Sequence, residues 1–303
     1  MMPATRAKKS ALHPIFGAGL TEFWNDRKII RLFYLMRPPV RTNACAWTEF
    51  SAIRRKIKEK KMGLSQSEQK ILAATTAIDT LIEKKLIFSG MKIGLGTGST
   101  AMPAVKRLAE RISAGDLHDI KAVVTSFQTQ NACQDYGIPV YSLNDRIIGG
   151  SLDLAIDGAD EVEPSCNCIK GGGAAHVREK IVEYNSKIFV VIADESKAVE
   201  NIGTKFPVPV EIISEARVPV TNALAALGAT CVLREGVRKA GPVITDNGNQ
   251  ILDCTWKNPI DVPEMEDKIN AIAGVVENGL FSKNKPVVFI AKSDGSVETR
   301  NLR

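Results

Sequence analysis

The stretch Met91–Thr100 reads MKIGLGTGST: the apolar run Met91 to Leu95 has strand texture and passes without a break into a turn carrying Gly96 and Gly98. Ala101 to Arg111 then continues with helical spacing. A strand, a glycine turn and a helix in immediate succession are the first half of a β-α-β unit. The glycines free the backbone for close approach, while the amides and hydroxyls of Thr97, Gly98, Ser99 and Thr100 face whatever anion lies at the helix N-terminus. The turn therefore reads as a phosphate cradle. GLGTGS lacks the third glycine of the dinucleotide pattern, and no lysine follows where a Walker A loop needs one. A plain turn capped by Ser99 or Thr100 is the other reading of the same residues.

Outward from this stretch the pattern alternates. A helical, Ala-rich segment spans Ser65 to Leu86. Beyond the cradle come a strand (Ile120 to Thr125), a helix (Phe127 to Tyr136), a short strand (Pro139 to Tyr141) and a strand (Leu152 to Ile156). A helix opened by GGGAA and the run KIFVVIA follow. Such alternation predicts an α/β fold with a mostly parallel sheet and helices on both faces. After Lys205 the texture changes: FPVPVEI, a helix from Arg217 to Leu227, a strand near Cys231, and a hairpin signal, TDNGN, between Pro242–Ile244 and Ile251–Asp253. A helix near Glu264 to Ala271 and a strand at Gly274 to Glu277 complete a small α+β domain with an antiparallel sheet. The final PVVFIAKSDGSVETR has a strand and an Asp294-Gly295 hairpin signal, and pattern alone assigns it to neither domain.

Composition narrows the function classes. The chain has 303 residues, 44% hydrophobic and 24% charged, an ordinary globular balance for one large or two ordinary domains. Its apolar runs fall far short of the roughly 18 residues of a membrane span. The net charge of +6 is concentrated: residues 1–62 carry 14 Lys+Arg against 4 Asp+Glu, and the rest carry 26 against 30. A basic total with an acidic body does not point to nucleic acid. The leader 1–62 is Arg-rich and acid-poor, open to reading as an organelle transit segment, a disordered extension, or sequence upstream of a true start at Met36 or Met62. The six cysteines are too few and scattered for a disulfide scaffold, which points to reduced thiols in the cytoplasm. Cys166-Asn167-Cys168 has no second Cys/His pair at ligand spacing, and with only three histidines no metal site is expected.

Two further loops carry chemistry. Asp157-Gly158-Ala159-Asp160-Glu161 ends the strand LDLAI, so its carboxylates lie at the carboxyl edge of the sheet, where open α/β folds bind ligands. A solvated turn is the plain alternative. Lys170-Gly171-Gly172-Gly173 opens a helix in which the recurrence of Ala174, Val177, Ile181 and Tyr184 predicts an apolar, buried stripe. Glu179 lies off that stripe, between Arg178 and Lys180, about one and a half turns into the helix. Either it is an exposed, ion-paired surface acid or it faces a ligand held by the glycine turn. Asp194-Glu195-Ser196-Lys197 also follows a strand directly, so these loops can converge at one sheet edge.

GLGTGST, DGADEVEP, KGGGAAHVREKIV, ADESK, KFPVPVEI, GPVITDNGNQILD and GVVENGLF occur in the order and spacing of the A-type ribose-5-phosphate isomerases, which residues 64–303 resemble. The resemblance implies interconversion of ribose 5-phosphate and ribulose 5-phosphate in the pentose phosphate pathway, without a cofactor. It implies a Rossmann-like domain (63–204 with 286–303) around a smaller inserted, ferredoxin-like α+β domain (205–285), in a homodimer or homotetramer. The implied substrate site is Thr97, Gly98, Ser99, Thr100, Asp157, Gly158, Ala159, Asp160, Lys170, Gly171, Gly172, Gly173 and Lys197. The implied catalytic base is Glu179. Lys170 is expected to stabilise the oxyanion, Asp157 to shuttle hydroxyl protons, and Asp160 to orient hydroxyls or Lys170. Lys70 is a further phosphate ligand of unfixed register. The Phe127 and Gln128 of Thr125–Thr129, and His176, depart from common family residues. A non-enzymatic sugar-phosphate sensor on a related fold is the alternative reading.

Overall fold

The computed structural model describes residues 63–302; the leader 1–62, with its three readings and with His13 and Cys45, lies outside the described residues. Helix α1 (Gln66–Glu83) starts at Ser65, whose hydroxyl accepts from the Glu68 amide while the Glu68 side chain accepts from the Ser65 amide. Its small apolar face buries Ala73, Ala74, Ala77, Ile78 and Leu81. Then follow β1 (Lys92–Leu95), α2 (Ala101–Ser113), β2 (Lys121–Val124), α3 (Phe127–Asp135), β3 (Leu152–Gly158), and the short β4 (Glu161–Val162) and β5 (Cys168–Ile169). Helix α4 (His176–Tyr184) leads into β6 (Ser186–Asp194).

The main sheet has the order β13-β12-β6-β3-β1-β2, where β12 is Val287–Ala291 and β13 is Val297–Arg300. All neighbours are parallel except β12 and β13. Because β2 lies on one side of β1 and β3 on the other, the chain reverses direction across the sheet at β1, and the crevice of such a switch point opens at the carboxyl ends. Register keeps those ends level: Leu95 is opposite both Val124 and Ile156, and Gly158 is opposite Ile192. The loops 96–100, 125–126, 157–160 and 194–197 thus leave from one edge.

A second sheet, wholly antiparallel, has the order β10-β7-β9-β8, from β7 (Val208–Ile212), β8 (Ala229–Leu233), β9 (Gln250–Trp256) and β10 (Val275–Asn278). Helices α5 (Arg217–Ala226) and α6 (Val262–Asn270) accompany it, and β11 (Leu280–Phe281) joins β5 and β4 in a third small sheet. The tail ambiguous in sequence returns to the main sheet, since β12 pairs with β6.

Three local expectations are corrected. Pro139–Tyr141 forms one bridge, Val140 to Ala122, and no strand. Pro242–Ile244 does not pair with Ile251–Asp253, because β9 already has β7 on one side and β8 on the other; TDNGN closes only a turn, with the Thr245 amide donating to the Asn249 carbonyl at 2.9 Å. Helix α4 begins at His176, which puts Glu179 in its first turn, and the apolar stripe is not its buried face: Ile181 is 49% exposed while Glu179, Lys180 and Glu183 are buried. Ion pairs draw these charges inward. Lys180 meets Glu266 at 3.2 Å and Glu277 at 2.9 Å, while Glu179 and Glu183 face Lys170.

Candidate active site

The cradle is built on a close contact that only glycine permits. A Cβ on Gly96 would lie 1.9 Å from Cγ of Asp157, so the absence of a side chain lets the end of β1 press against the end of β3. The Asp157 carboxylate then accepts from the Thr97 amide at 2.9 Å and the Gly158 amide at 2.7 Å. Behind Thr97, its hydroxyl meets those of Thr125 at 2.6 Å and Ser126 at 2.7 Å, and Gln128 accepts from the Gly98 amide at 3.0 Å. Thr100, the residue before α2, makes no side-chain cap, and Ser99 accepts from Lys70 Nζ at 3.0 Å. These hydroxyls are therefore not spent on capping the helix.

The three clustered acids do not share a solvated turn. Asp157 goes to Lys170 Nζ at 2.7 Å, Asp160 accepts from the Gly172 amide at 2.7 Å, and Glu161, fully buried, accepts from the amides of Gly203, Lys205 and Phe206. Separate partners keep their charges apart, and Glu161 organises the loop from Gly203 to Phe206. Asp160 reaches the glycine turn rather than Lys170. That turn needs its glycines: Gly171 has φ +107°, and a Cβ on Gly172 would lie 2.7 Å from an Asp160 oxygen. Arg234 of the loop after β8 donates to the Gly171 carbonyl at 2.8 Å while paired with Asp253, so the turn is also gripped from the second sheet.

A cavity of about 240 Å³ opens here. Its wall contains Thr97, Gly98, Ser99, Thr100, Gly158, Ala159, Asp160, Lys170, Gly171, Gly172, Gly173, Glu179 and Lys197, and also Lys70. Of the implied substrate-site and catalytic residues, only Asp157 stands behind the wall, 1% exposed. Lys170 is 2% exposed, with Nζ also bonded to the Gly158 carbonyl at 2.7 Å and lying 3.2 Å from Glu179 Oε2 and 3.2 Å from Glu183 Oε1. Burial opposes its charge, but Asp157, Glu179 and Glu183 together outweigh that and hold the ammonium well above its ordinary range. Burial pushes Glu179 up to about 7, with Lys170 pulling against it and the Asp157 and Asp160 charges adding to the rise. The result is a water-shielded carboxylate poised to exchange a proton near neutrality, beside a fixed cation. Among the described residues no cluster of three or more His, Cys, Asp or Glu is placed to hold a metal ion.

Sequence reasoning missed Glu183 and Arg234. Glu183 has a signal, being four residues beyond Glu179 and so on the same face of the helix. Arg234 has none, since it meets the glycine turn from 63 residues away.

Residues 121–295 match the profile of a family described as ribose 5-phosphate isomerase A (phosphoriboisomerase A). The chain is 58% identical over 239 residues to a ribose-5-phosphate isomerase A of Treponema denticola, covering 78% of this chain and 99% of that protein. Among solved structures, ribose 5-phosphate isomerase A of Methanocaldococcus jannaschii aligns with a TM-score of 0.70 at 44% identity, over 78% of this chain and 99% of its own. A D-ribose-5-phosphate isomerase in complex with phospho-erythronic acid aligns with a TM-score of 0.73 at 40% identity, over 78% and 99% of the two chains. Likeness of this depth, spanning nearly the whole of each relative, means that the chain belongs to the ribose 5-phosphate isomerase A family.

Proposed function

We propose that the chain interconverts D-ribose 5-phosphate and D-ribulose 5-phosphate through an enediolate, in the non-oxidative pentose phosphate pathway. The observation that carries this reading is a buried acid of intermediate proton affinity, Glu179, 3.2 Å from the ammonium of Lys170 in one pocket with the cradle. Aldose to ketose conversion takes the C2 proton, leaves an enediolate, and returns a proton to C1. One carboxylate on one face serves both transfers, and its basicity near neutrality suits both. Lys170 stabilises the oxygen on which charge develops. Triosephosphate isomerase divides the labour in the same way on another sugar phosphate, pairing a glutamate base with a separate electrophile. Phospho-erythronic acid, bound by the 40% identical relative, carries two oxygens on a planar carbon as an enediolate does on two, which fits the same pocket chemistry.

The phosphate is assigned to Thr97–Thr100 with Lys70 and Lys197, where it holds the reacting carbons against Glu179. Asp160, which braces the glycine turn through Gly172, orients sugar hydroxyls. Asp157 lies behind the wall, so its part in ring opening and hydroxyl proton movement is assigned through Lys170, which bonds Asp157 through Nζ and is itself a residue of the cavity wall. The same proposal includes a cytoplasmic homodimer or homotetramer without a cofactor, with 63–204 and 286–303 as catalytic domain and 205–285 as a small α+β domain; the return of β12 to β6 supports that division. A sensor needs the cradle but no base at this affinity, and Glu179 beside Lys170 favours the enzyme.

The test is a coupled assay of ribulose 5-phosphate formation. Glu179→Gln is expected to lower kcat by about 10²- to 10⁴-fold while ribose 5-phosphate still binds within a few-fold. Wild-type kcat in that variant would overturn the assignment of the base.

A further inference from the structure

Glu183 is the buried acid that the proposed mechanism leaves unused. It lies one turn beyond Glu179 on α4, is 1% exposed, and is absent from the cavity wall. Four oxygens surround Lys170 Nζ: Asp157 Oδ2 and the Gly158 carbonyl at 2.7 Å, and Glu179 Oε2 and Glu183 Oε1 at 3.2 Å. An ammonium has three protons. Its aligned bonds go to Asp157 and Gly158, and among the described residues no N–H or O–H is aimed at either oxygen of Glu183. Asp157 is the opposite case, an anion already receiving two amides and the ammonium. Three carboxylates and one ammonium, all shut off from water, would leave two uncompensated charges, and a carboxylate without a donor is the costliest place to leave one. The groups facing Glu183 are Asp157 at the end of β3, Cys168 on β5, Lys170 after it, and Glu179 on its own helix.

We propose that Glu183 stays protonated in the working enzyme and donates its proton to Asp157, as a positioning residue that holds the Asp157–Lys170 pair and keeps the charge beside Glu179 low enough for that base to ionise. Asp157 Oδ2 and Glu183 Oε1 both lie on Lys170 Nζ, at 2.7 and 3.2 Å, which sets the two carboxyl groups side by side. Burial pushes the Glu183 carboxyl well above the ordinary range, Lys170 pulls against this, and the charges of Asp157 and Glu179 reinforce the rise. Glu179 and Glu183 thus divide the roles of exchangeable and retained proton, with the retained one deeper in the wall. The functional half of this inference rests on the isomerase reading; the protonation half does not.

The direct measurement is infrared spectroscopy of the full chain at about pH 8, a unit above the value for Glu179. The wild type should show the carbonyl stretch of a buried protonated carboxyl, and Glu183→Gln should lack it. No such band in the wild type, or its persistence in the variant, overturns the proposal whether or not the protein is an isomerase. In turnover, Glu183→Met, which fills the space without a donor, should lose on the order of 10-fold in kcat with KM little changed, and Glu183→Gln, whose amide can donate to Asp157, should recover most of that loss. The acid limb of the pH profile should keep its midpoint in Glu183→Gln. A midpoint lowered in that variant would mean that the wild-type group is ionised, and equal activity in the Met and Gln variants would mean that it positions nothing.

Discussion

Glu179 stands on the buried side of α4 with its carboxyl pushed up to about 7, and that value has two measurable consequences. In its proposed role as base it must be ionised, so kcat/KM should rise with pH through a midpoint near 7 and fall below it, and Glu179→Gln should abolish that limb. The same shift acts on stability. The unfolded chain releases this proton near the ordinary value of 4.5 and the folded chain keeps it to about 7, so the folded state binds more protons across that window. Stability contributed by the group is therefore lost as pH rises through the window. Denaturant midpoints should favour Glu179→Gln over the wild type more strongly above pH 7 than near pH 5, as expected where function retains a buried charge at a cost in stability.

At the scale of elements, what matters is how closely the ends of β1 and β3 approach. Gly96→Ala would drive its methyl into Asp157, displacing the carboxylate that holds both the Thr97 amide and Lys170. The variant should lose about 1–3 kcal/mol of stability and, through the displaced cation, about 10²-fold in kcat. Thermal unfolding and the coupled assay check the two separately; stability loss with full turnover would show that the cradle adapts. Helix α4 is held from its other side by Lys180 between Glu266 and Glu277, with the Tyr184 hydroxyl donating to Glu266 at 2.8 Å. The helix that carries the proposed base is thus tied by ion pairs to α6 and β10.

Across the whole molecule, the site is a product of two sheets. The main sheet supplies the cradle, Lys170 follows β5, and Arg234, after β8, grips the glycine turn while paired with Asp253 at 2.5 Å. Arg234→Met should lower kcat/KM by about 10-fold with the cavity residues intact, and Arg234→Lys should restore little, because an ammonium lacks the fork needed to bond the carboxylate and carbonyl together. A variant with wild-type kinetics would mean that the turn holds its shape without the second sheet.

The α/β architecture and the wall of the pocket were legible in the chain because both are local: glycine turns follow apolar strands, and strand ends of one parallel sheet meet at one edge by geometry. What failed was judgement of faces and partners. The apolar stripe of α4 reads as its buried face, yet Ile181 is outside and Glu179, Lys180 and Glu183 are inside, since periodicity counts a charge as solvent-facing and cannot see the ion partner that makes its burial tolerable. The chain pattern likewise allowed Pro242–Ile244 to pair with β9, whose two edges were already taken. Strand order, the hidden position of Asp157 and the proton affinities around Lys170 depend on distances between segments far apart in sequence, and only the folded chain brings those segments close enough for desolvation and charge to act.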